Sequence, residues 1–242
     1  MIGRATLRRA GAEALGTFFL VLIGPGASMV NAFSGGAVTH VGVALAFAFV
    51  VIALIHALGH LSGAHINPAV TLAFWSSRRF PATEVAPYVV AQCAGAIAAS
   101  LTLRAILGPV GAVGATIPNL SVGAAFATEW LLSFILMFVI MAVATDERVA
   151  DGFAALAIGL TVGFCALVGG PLTGASMNPQ RSFGPTLVAG GAALWKNHWI
   201  YWAGPIVGAC MASLIYHLVL WPRDRAAGIE APAMDVPPTQ RP

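Results

Sequence analysis

The 242-residue sequence contains few charged residues. Asp, Glu, Lys and Arg make up 9% of it, whereas soluble globular proteins carry about a quarter. Hydrophobic residues make up 58% of the chain. This balance excludes a soluble enzyme domain and predicts a membrane protein. The net charge of +3 arises from 12 basic and 9 acidic residues scattered along the chain. Because they form no basic stripe, we expect no nucleic-acid partner.

Residues typical of catalytic and metal sites are also scarce. The three cysteines stand alone in apolar stretches, at Cys93, Cys165 and Cys210. Their spacing predicts neither a disulfide framework nor a zinc site. The sequence contains no Gly-rich phosphate loop, nucleophile elbow or paired carboxylates. His56, His60 and His65 lack a nearby Cys or carboxylate, which favours a His-rich helix end at the cytoplasmic surface over a metal site. We therefore expect no enzymatic activity, no cofactor and no metal.

Long apolar runs predict the architecture. Six of them could cross a membrane as helices, near residues 11–32, 40–60, 84–106, 123–145, 153–171 and 198–221. Two further apolar segments follow Asn67 and Asn178 and run for only about ten residues, too short to cross a hydrocarbon layer of about 30 Å. The predicted fold is an all-α membrane protein with six transmembrane helices and two re-entrant half-helices.

The distribution of basic residues predicts the orientation. Most arginines fall on the side of the two termini, whereas Arg104 and Lys196 mark the opposite loops. The positive-inside rule then places both termini in the cytoplasm of a multi-pass protein of the plasma (inner) membrane. We divide the chain into a cytoplasmic N-terminus (1–9), a membrane domain (10–221) and a Pro-containing cytoplasmic tail (222–242). The tail is too poor in apolar residues to fold, and we predict that it is flexible.

The membrane domain contains an internal repeat. Gly63–Ala69 resembles Gly174–Gln180, with Asn67 and Asn178 lying 111 positions apart. Glu13 and Glu129 lie 116 positions apart, at equivalent places in the first and fourth spans. Halves of about 10–107 and 122–221 contain three crossings each, so the second half must be inverted. Interrupted helices at matching places of inverted halves indicate a permeation site at the bilayer midplane.

The two Asn-Pro elements predict the chemistry of that site. Each half-helix should begin with Asn as its N-cap and Pro in its first turn, as Asn67-Pro68-Ala69 and Asn178-Pro179-Gln180. If each cap oxygen accepts from its own helix, the side-chain NH₂ groups remain free to donate to the pathway. A passing oxygen that accepts from both cannot also accept a proton from its neighbour. The positive ends of the half-helices would also repel cations, so neutral solutes are favoured.

The charged residues within the predicted membrane segments include Arg181, Glu13 and Glu129. Arg181 follows the second Asn-Pro element, and a buried Arg is costly unless it faces a wet lumen. We expect it to narrow the pathway, donate to a passing oxygen and repel cations. Glu13 and Glu129 are placed symmetrically. We expect each to accept hydrogen bonds from loop N–H groups of its own half and to be structural.

These residues resemble the aquaporin (major intrinsic protein) family over residues 10–221. The resemblance rests on AEALGTFFLVLIG in the first span, SGAHINPAV in the first half-helix and GASMNPQRS in the second. It implies one pore in each subunit, a homotetramer, and a channel for water and small neutral solutes in the lipid bilayer. The flanks of both boxes look most like nodulin-like intrinsic proteins and their bacterial relatives. That branch is implied to pass water, glycerol, urea-sized solutes and neutral metalloid acids.

The resemblance also implies an outer selectivity constriction, formed by Phe47, Ala166, Ala175 and Arg181. Strict water channels of the family usually have histidine in place of Ala166, so this constriction should be wider and less polar. Ser182 stands where glycerol facilitators usually have aspartate, and this difference favours the water-channel pattern instead. Gln180 stands where the family usually has alanine. Its amide could bond at the junction of the half-helices or reach the lumen.

Alternative functions remain open at this point. A strict water channel fits the same residues. Inverted repeats with broken helices also occur in secondary transporters, although only the two glutamates could load and unload ions near the midplane. A structural junction protein with a blocked pore is disfavoured by the small side chains of Ala166 and Ala175.

Overall fold

The computed structural model describes residues 3–145 and 152–220, and this part of the chain is helical throughout its regular elements. Five membrane-length helices are α1 (Arg4–Phe33), α2 (Thr39–Ser62), α4 (Ala82–Leu107), α5 (Val122–Ala144) and α6 (Phe153–Thr173). The sixth crossing, Ala192–Leu220, contains α8 (Ala192–Trp195), α9 (Ile200–Ile215) and a π-helical turn (Tyr216–Leu220). The short helices α3 (Pro68–Ser76) and α7 (Pro179–Ala189) are the half-helices. The predicted fold class is confirmed.

Helix α1 begins seven residues before the predicted span, at Arg4. Its first turns are held to α4 because Arg9 forms an ion pair with Glu84, and the Thr6 hydroxyl donates to the same carboxylate at 2.9 Å. Residues 4–9, which we assigned to an N-terminal segment, thus continue the first helix. The predicted flexible tail (222–242) lies outside the described residues.

The two halves pack alike. Helix α1 packs against α4 in the first half, as α5 packs against α9 in the second, and α2 meets α6 between them. The contact between α1 and α4 and the contact between α5 and α9 each require a glycine. A β-carbon at Gly95 would lie 2.1 Å from the carbonyl oxygen of Ala14, and one at Gly208 would lie 2.1 Å from that of Trp130. Small residues let these backbones touch.

The half-helices dock on the opposite half. Helix α3 packs mainly against α9, and α7 packs mainly against α4. Gly184 of α7 lies so close to α4 that a β-carbon there would come within 2.7 Å of the Ala96 backbone. Each half-helix therefore binds helices that the other half supplies, and this exchange brings the two Asn-Pro elements together.

The connection between the halves contains an element that the sequence did not predict. Val110–Gly114 forms a 3₁₀-type turn in which Gly111, Ala112 and Val113 all adopt left-handed backbone conformations. Left-handed backbone is uncommon for Ala and Val, so residue preferences gave no signal. The turn packs against α1 and α7 and supports the site described next.

Candidate permeation site

The loops that lead into the two half-helices have unusual and equivalent backbones. The φ angles are positive at Gly63 (83°), Ala64 (46°), Ile66 (40°), Gly174 (87°), Ala175 (43°) and Met177 (52°). Positive φ at a non-glycine residue costs on the order of 1–3 kcal/mol and persists only when the surroundings hold it. Two buried glutamates hold these loops in the unusual conformation.

Glu129 of α5 holds the second loop. Its Oε1 accepts from the Ser176 backbone N–H at 2.9 Å and from the Thr173 hydroxyl at 2.7 Å. Its Oε2 accepts from the Met177 N–H at 2.9 Å. The side chain is fully buried. A carboxylate offers two oxygens as acceptors and no donor when ionised, which suits a loop whose N–H groups converge on one point.

Glu13 of α1 holds the first loop in the same way. It accepts from the N–H groups of His65 and Ile66 at 2.9 and 2.6 Å and from the Ser62 hydroxyl at 2.7 Å. It has one further partner, the Gln92 amide of α4, at 2.8 Å. The expectation that each glutamate accepts from the loop of its own half agrees with this geometry.

Two tyrosines also hold the loops, a role that we did not predict from the sequence. The Tyr88 hydroxyl donates to the Ser62 carbonyl at 2.8 Å, and the Tyr201 hydroxyl donates to the Thr173 carbonyl at 2.7 Å. Both side chains are buried. Positions 88 and 201 lie 113 apart, the same offset as Gly95 and Gly208. That shared offset is the signal that could have identified them.

The asparagine side chains meet across the junction. Asn67 Nδ2 donates to the Met177 carbonyl and Asn178 Nδ2 donates to the Ile66 carbonyl, both at 2.8 Å. One amide hydrogen of each asparagine is therefore used in a cross-bond, and one remains. The NH₂ groups that we expected to donate to the pathway thus each have one hydrogen bonded to a carbonyl of the opposite loop.

Both asparagines occupy the N-cap positions of their half-helices, but within the described residues only Asn67 caps with its side chain. Asn67 Oδ1 accepts from the Ala69 N–H at 2.9 Å. Asn178 Oδ1 is buried and has no hydrogen-bond partner within the described residues, so the predicted side-chain cap of α7 is wrong. Its amide instead shares the Ile66 carbonyl with Gln180 Nε2, which donates at 2.9 Å. Gln180 is fully buried at the junction, which answers the question of where its amide lies.

An inner cavity of about 120 Å³ lies on the side of the first turns of α1. One wall is formed by the two loops and includes Asn67, Ile66, Met177 and Asn178. The facing wall is apolar, formed by side chains such as those of Leu136, Ile140, Ile158 and Val162. A molecule in this cavity can form hydrogen bonds to one side only.

An outer cavity of about 250 Å³ lies on the opposite side of the membrane domain. Phe47, Ala166 and Arg181 line it, and Phe47 and Arg181 also line the inner cavity. The Arg181 guanidinium carbon lies 5.0 Å from the centre of the Phe47 ring. These two side chains thus stand where one cavity meets the next. Ala175 lines neither of these two cavities in the described chain, although its neighbour Gly174 lines the outer one.

Arg181 is 4% exposed and does not reach the outer surface. Its Nη1 donates to the Gly114 carbonyl at 3.0 Å, at the end of the left-handed turn. The turn therefore positions the guanidinium beside the Phe47 ring. Among the described residues the Nε atom has no hydrogen-bond partner. That Nε atom is itself buried, so it is not an exposed donor in the structure.

The histidine interpretation needs a correction at His65. This side chain is 9% exposed, lies against the rings of Phe74, Phe80 and Tyr88, and has Nδ1 3.1 Å from the Thr71 hydroxyl. It lines the inner cavity instead of the cytoplasmic surface, because it belongs to the re-entrant loop and not to the end of α2.

Residues 3–216 match the family described as Major intrinsic protein. The chain belongs to the major intrinsic protein family. It is 46% identical to "Probable aquaporin AqpM" of Archaeoglobus fulgidus over 87% of this chain and 96% of the relative. It is 44% identical to "Nodulin-26" of Glycine max over 88% of this chain and 78% of the relative. The solved structure of the aquaglyceroporin from Plasmodium falciparum is similar, with a TM-score of 0.81, 27% identity, and coverage of 90% of this chain and 98% of that one.

The resemblance inferred from the two Asn-Pro boxes is thereby confirmed. Family and fold also confirm the prediction of a channel for water and small solutes at that level of detail. For this major intrinsic protein, the roles of individual pore residues and the choice of solute remain predictions. The hydroxyl of Ser182, the residue that follows Arg181, forms hydrogen bonds with the hydroxyls of Thr116 (2.8 Å) and Ser176 (2.6 Å). Its hydrogen-bonding partners in the structure are therefore protein groups.

Proposed function

We propose that this protein is a passive channel for water and small uncharged solutes that excludes protons and ions and catalyses no reaction. The observation that carries the proposal is the meeting of Asn67 and Asn178 beside the inner cavity. Each has one amide hydrogen bonded to the opposite loop and one hydrogen left to donate. The proposed setting is a homotetramer in the plasma membrane with both termini cytoplasmic. The excess of arginine on the side of the termini supports this orientation.

Proton exclusion follows from two donors at one place. A water oxygen that accepts from both asparagines has no lone pair left for a hydrogen of the next water. A hydrogen-bonded chain through the pore is then interrupted at the junction. The N-termini of α3 and α7 both point here, each carrying roughly half a positive elementary charge. Hydronium and metal cations are repelled at the position where they would also lose hydration.

Phe47 and Arg181 act as the selectivity constriction. The guanidinium supplies a fixed positive charge beside the ring, and the ring supplies an apolar edge. Ala166, on the opposite part of the wall, adds neither bulk nor a hydrogen bond. We assign the channel a wider solute range than water alone, including glycerol, urea-sized solutes and neutral metalloid acids. The similar solved structure from Plasmodium falciparum is that of an aquaglyceroporin, which supports the inclusion of glycerol in this range.

Stopped-flow light scattering on proteoliposomes tests the proposal. Gradients of a membrane-impermeant osmolyte, glycerol, urea and boric acid are applied in turn to vesicles with and without protein. We expect protein-dependent water flux that does not saturate, solute flux that needs no ion gradient, and no dissipation of a pH gradient. Uptake that saturates, or that requires a proton or sodium gradient, would identify a transporter. Absence of any flux would favour the junction role.

A further inference from the structure

The two carbonyls at the junction of the half-helices are not equivalent. The Ile66 carbonyl oxygen accepts from Asn178 Nδ2 at 2.8 Å and from Gln180 Nε2 at 2.9 Å. The Met177 carbonyl, its counterpart in the other half, accepts from Asn67 Nδ2 at 2.8 Å. The residue equivalent to Gln180 is Ala69, which has no side-chain donor. The asymmetry therefore comes from a single residue.

A carbonyl oxygen has two lone pairs. Both lone pairs of the Ile66 carbonyl face side-chain amides, whereas the Met177 carbonyl retains one for another partner. Ile66 and Met177 both line the inner cavity. A molecule at the junction thus meets one carbonyl that can accept a hydrogen bond and one whose capacity is already used.

We propose that Gln180 is a positioning residue that removes the Ile66 carbonyl from the set of acceptors available in the pore. This inference rests on the proposed channel function. Water and hydroxylated solutes must donate hydrogens as well as accept them, and each acceptor along an otherwise apolar path lowers the free energy of passage. By occupying the carbonyl, Gln180 slows the passage of hydrogen-bond donors at this step.

The burial of Gln180 supports a directed role. The side chain is fully buried, and neither of the two cavities is lined by it in the described chain. Its Oε1 has no hydrogen-bond partner among the described residues, and neither has Asn178 Oδ1. Both amides thus direct their NH₂ groups to one carbonyl and leave their oxygens unpaired. Buried unpaired oxygens are unfavourable, so simple stability does not account for a glutamine here.

The test compares water flux through the wild-type protein and two variants in proteoliposomes of matched protein content. Gln180→Met keeps the length of the side chain and removes the donor. Gln180→Ala removes both and restores the alanine usual in the family. Thr186→Val is the matched control, because Thr186 lies on the same half-helix, is fully buried, and its hydroxyl has no partner within the described residues.

We expect water permeability to rise roughly two- to tenfold in both Gln180 variants, the rate equivalent of one net hydrogen bond. The activation energy of water flux should fall, and Thr186→Val should match the wild type. A residue that only held the loops together would show the opposite, with lower flux and a lower unfolding temperature on replacement.

The outcomes separate the two proposals. Wild-type conduction with unchanged or reduced flux in Gln180→Met overturns the role of Gln180 alone. A rise in Gln180→Ala without one in Gln180→Met also overturns it, because the cause would be side-chain volume. Absence of channel-like flux in the wild type and in both variants removes the proposed function and this inference with it.

Discussion

Replacing Gly208 by alanine should separate α9 from α5 and destabilise the protein. A β-carbon at this position would lie 2.1 Å from the Trp130 carbonyl oxygen, 3.0 Å from the carbonyl carbon and 3.1 Å from the Phe134 nitrogen. All three atoms belong to the backbone of one helix, so no side-chain rotation can relieve the contact. The two helices must move apart along their whole interface.

The magnitude follows from two opposing effects. Inserting a methyl group into a packed interior costs about 1–3 kcal/mol, and the upper end applies because backbone must move. Alanine in place of glycine within a helix contributes about 1 kcal/mol in the favourable direction. The net loss is about 2 kcal/mol, and for a domain of this size that lowers the unfolding midpoint by about 4–8 °C.

Gly11→Ala is the matched control. Gly11 lies within α1 and is exposed, and a β-carbon there would meet no atom within 4 Å. This variant should gain stability, by about 1 kcal/mol. Thermal unfolding of the purified protein in one detergent, monitored by circular dichroism, compares the two directly. Equal midpoints for the two variants would refute the close packing of α5 and α9. Gly95→Ala, which contacts Ala14 in the same way, should repeat the Gly208 result.

Three further predictions concern the pore. Ala166→His should lower glycerol flux more than water flux in stopped-flow assays, because an imidazole narrows the outer cavity; equal loss of both fluxes would show that the constriction lies elsewhere. Arg181→Val removes the fixed charge beside Phe47 and should raise the leak of protons or small cations, measured with a pH-sensitive dye in loaded vesicles; an unchanged leak would assign the barrier to the asparagines. Glu129→Gln should cost about 2–3 kcal/mol in unfolding free energy, since its amide nitrogen must face an N–H of the loop. Thr128→Val at the neighbouring, partly exposed position should change stability by less than about 0.5 kcal/mol; equal midpoints for these two variants would contradict the loop support.

The helices were predictable from the sequence because apolar runs of membrane length have few other solutions. The ends of α2, α4, α5 and α6 fall within about two residues of the predicted limits. The start of α1 was missed because its first turns are stabilised by contact with Glu84 of α4, a long-range partner that no local pattern reveals.

Those parts of the site that recur in both halves of the internal repeat could be predicted from the sequence. Glu13 and Glu129 could be paired by their offset, and their loop partners followed from the cost of burying a charge. The side-chain cap of Asn178 was predicted wrongly, because the orientation of its amide depends on the geometry of two loops that meet only in the folded protein. The left-handed turn before α5 was missed because neither Ala112 nor Val113 prefers that conformation.

The exchange of half-helices between the two halves also determines when the protein can be completed during synthesis. Helix α3 lacks its main packing partner until α9, the last α-helix of the described residues, has entered the bilayer. A chain that stops before α9 would leave the apolar α3 without the helix against which it mainly packs. The pore is therefore completed only when α9 is in place, and a chain that lacks α9 should not conduct.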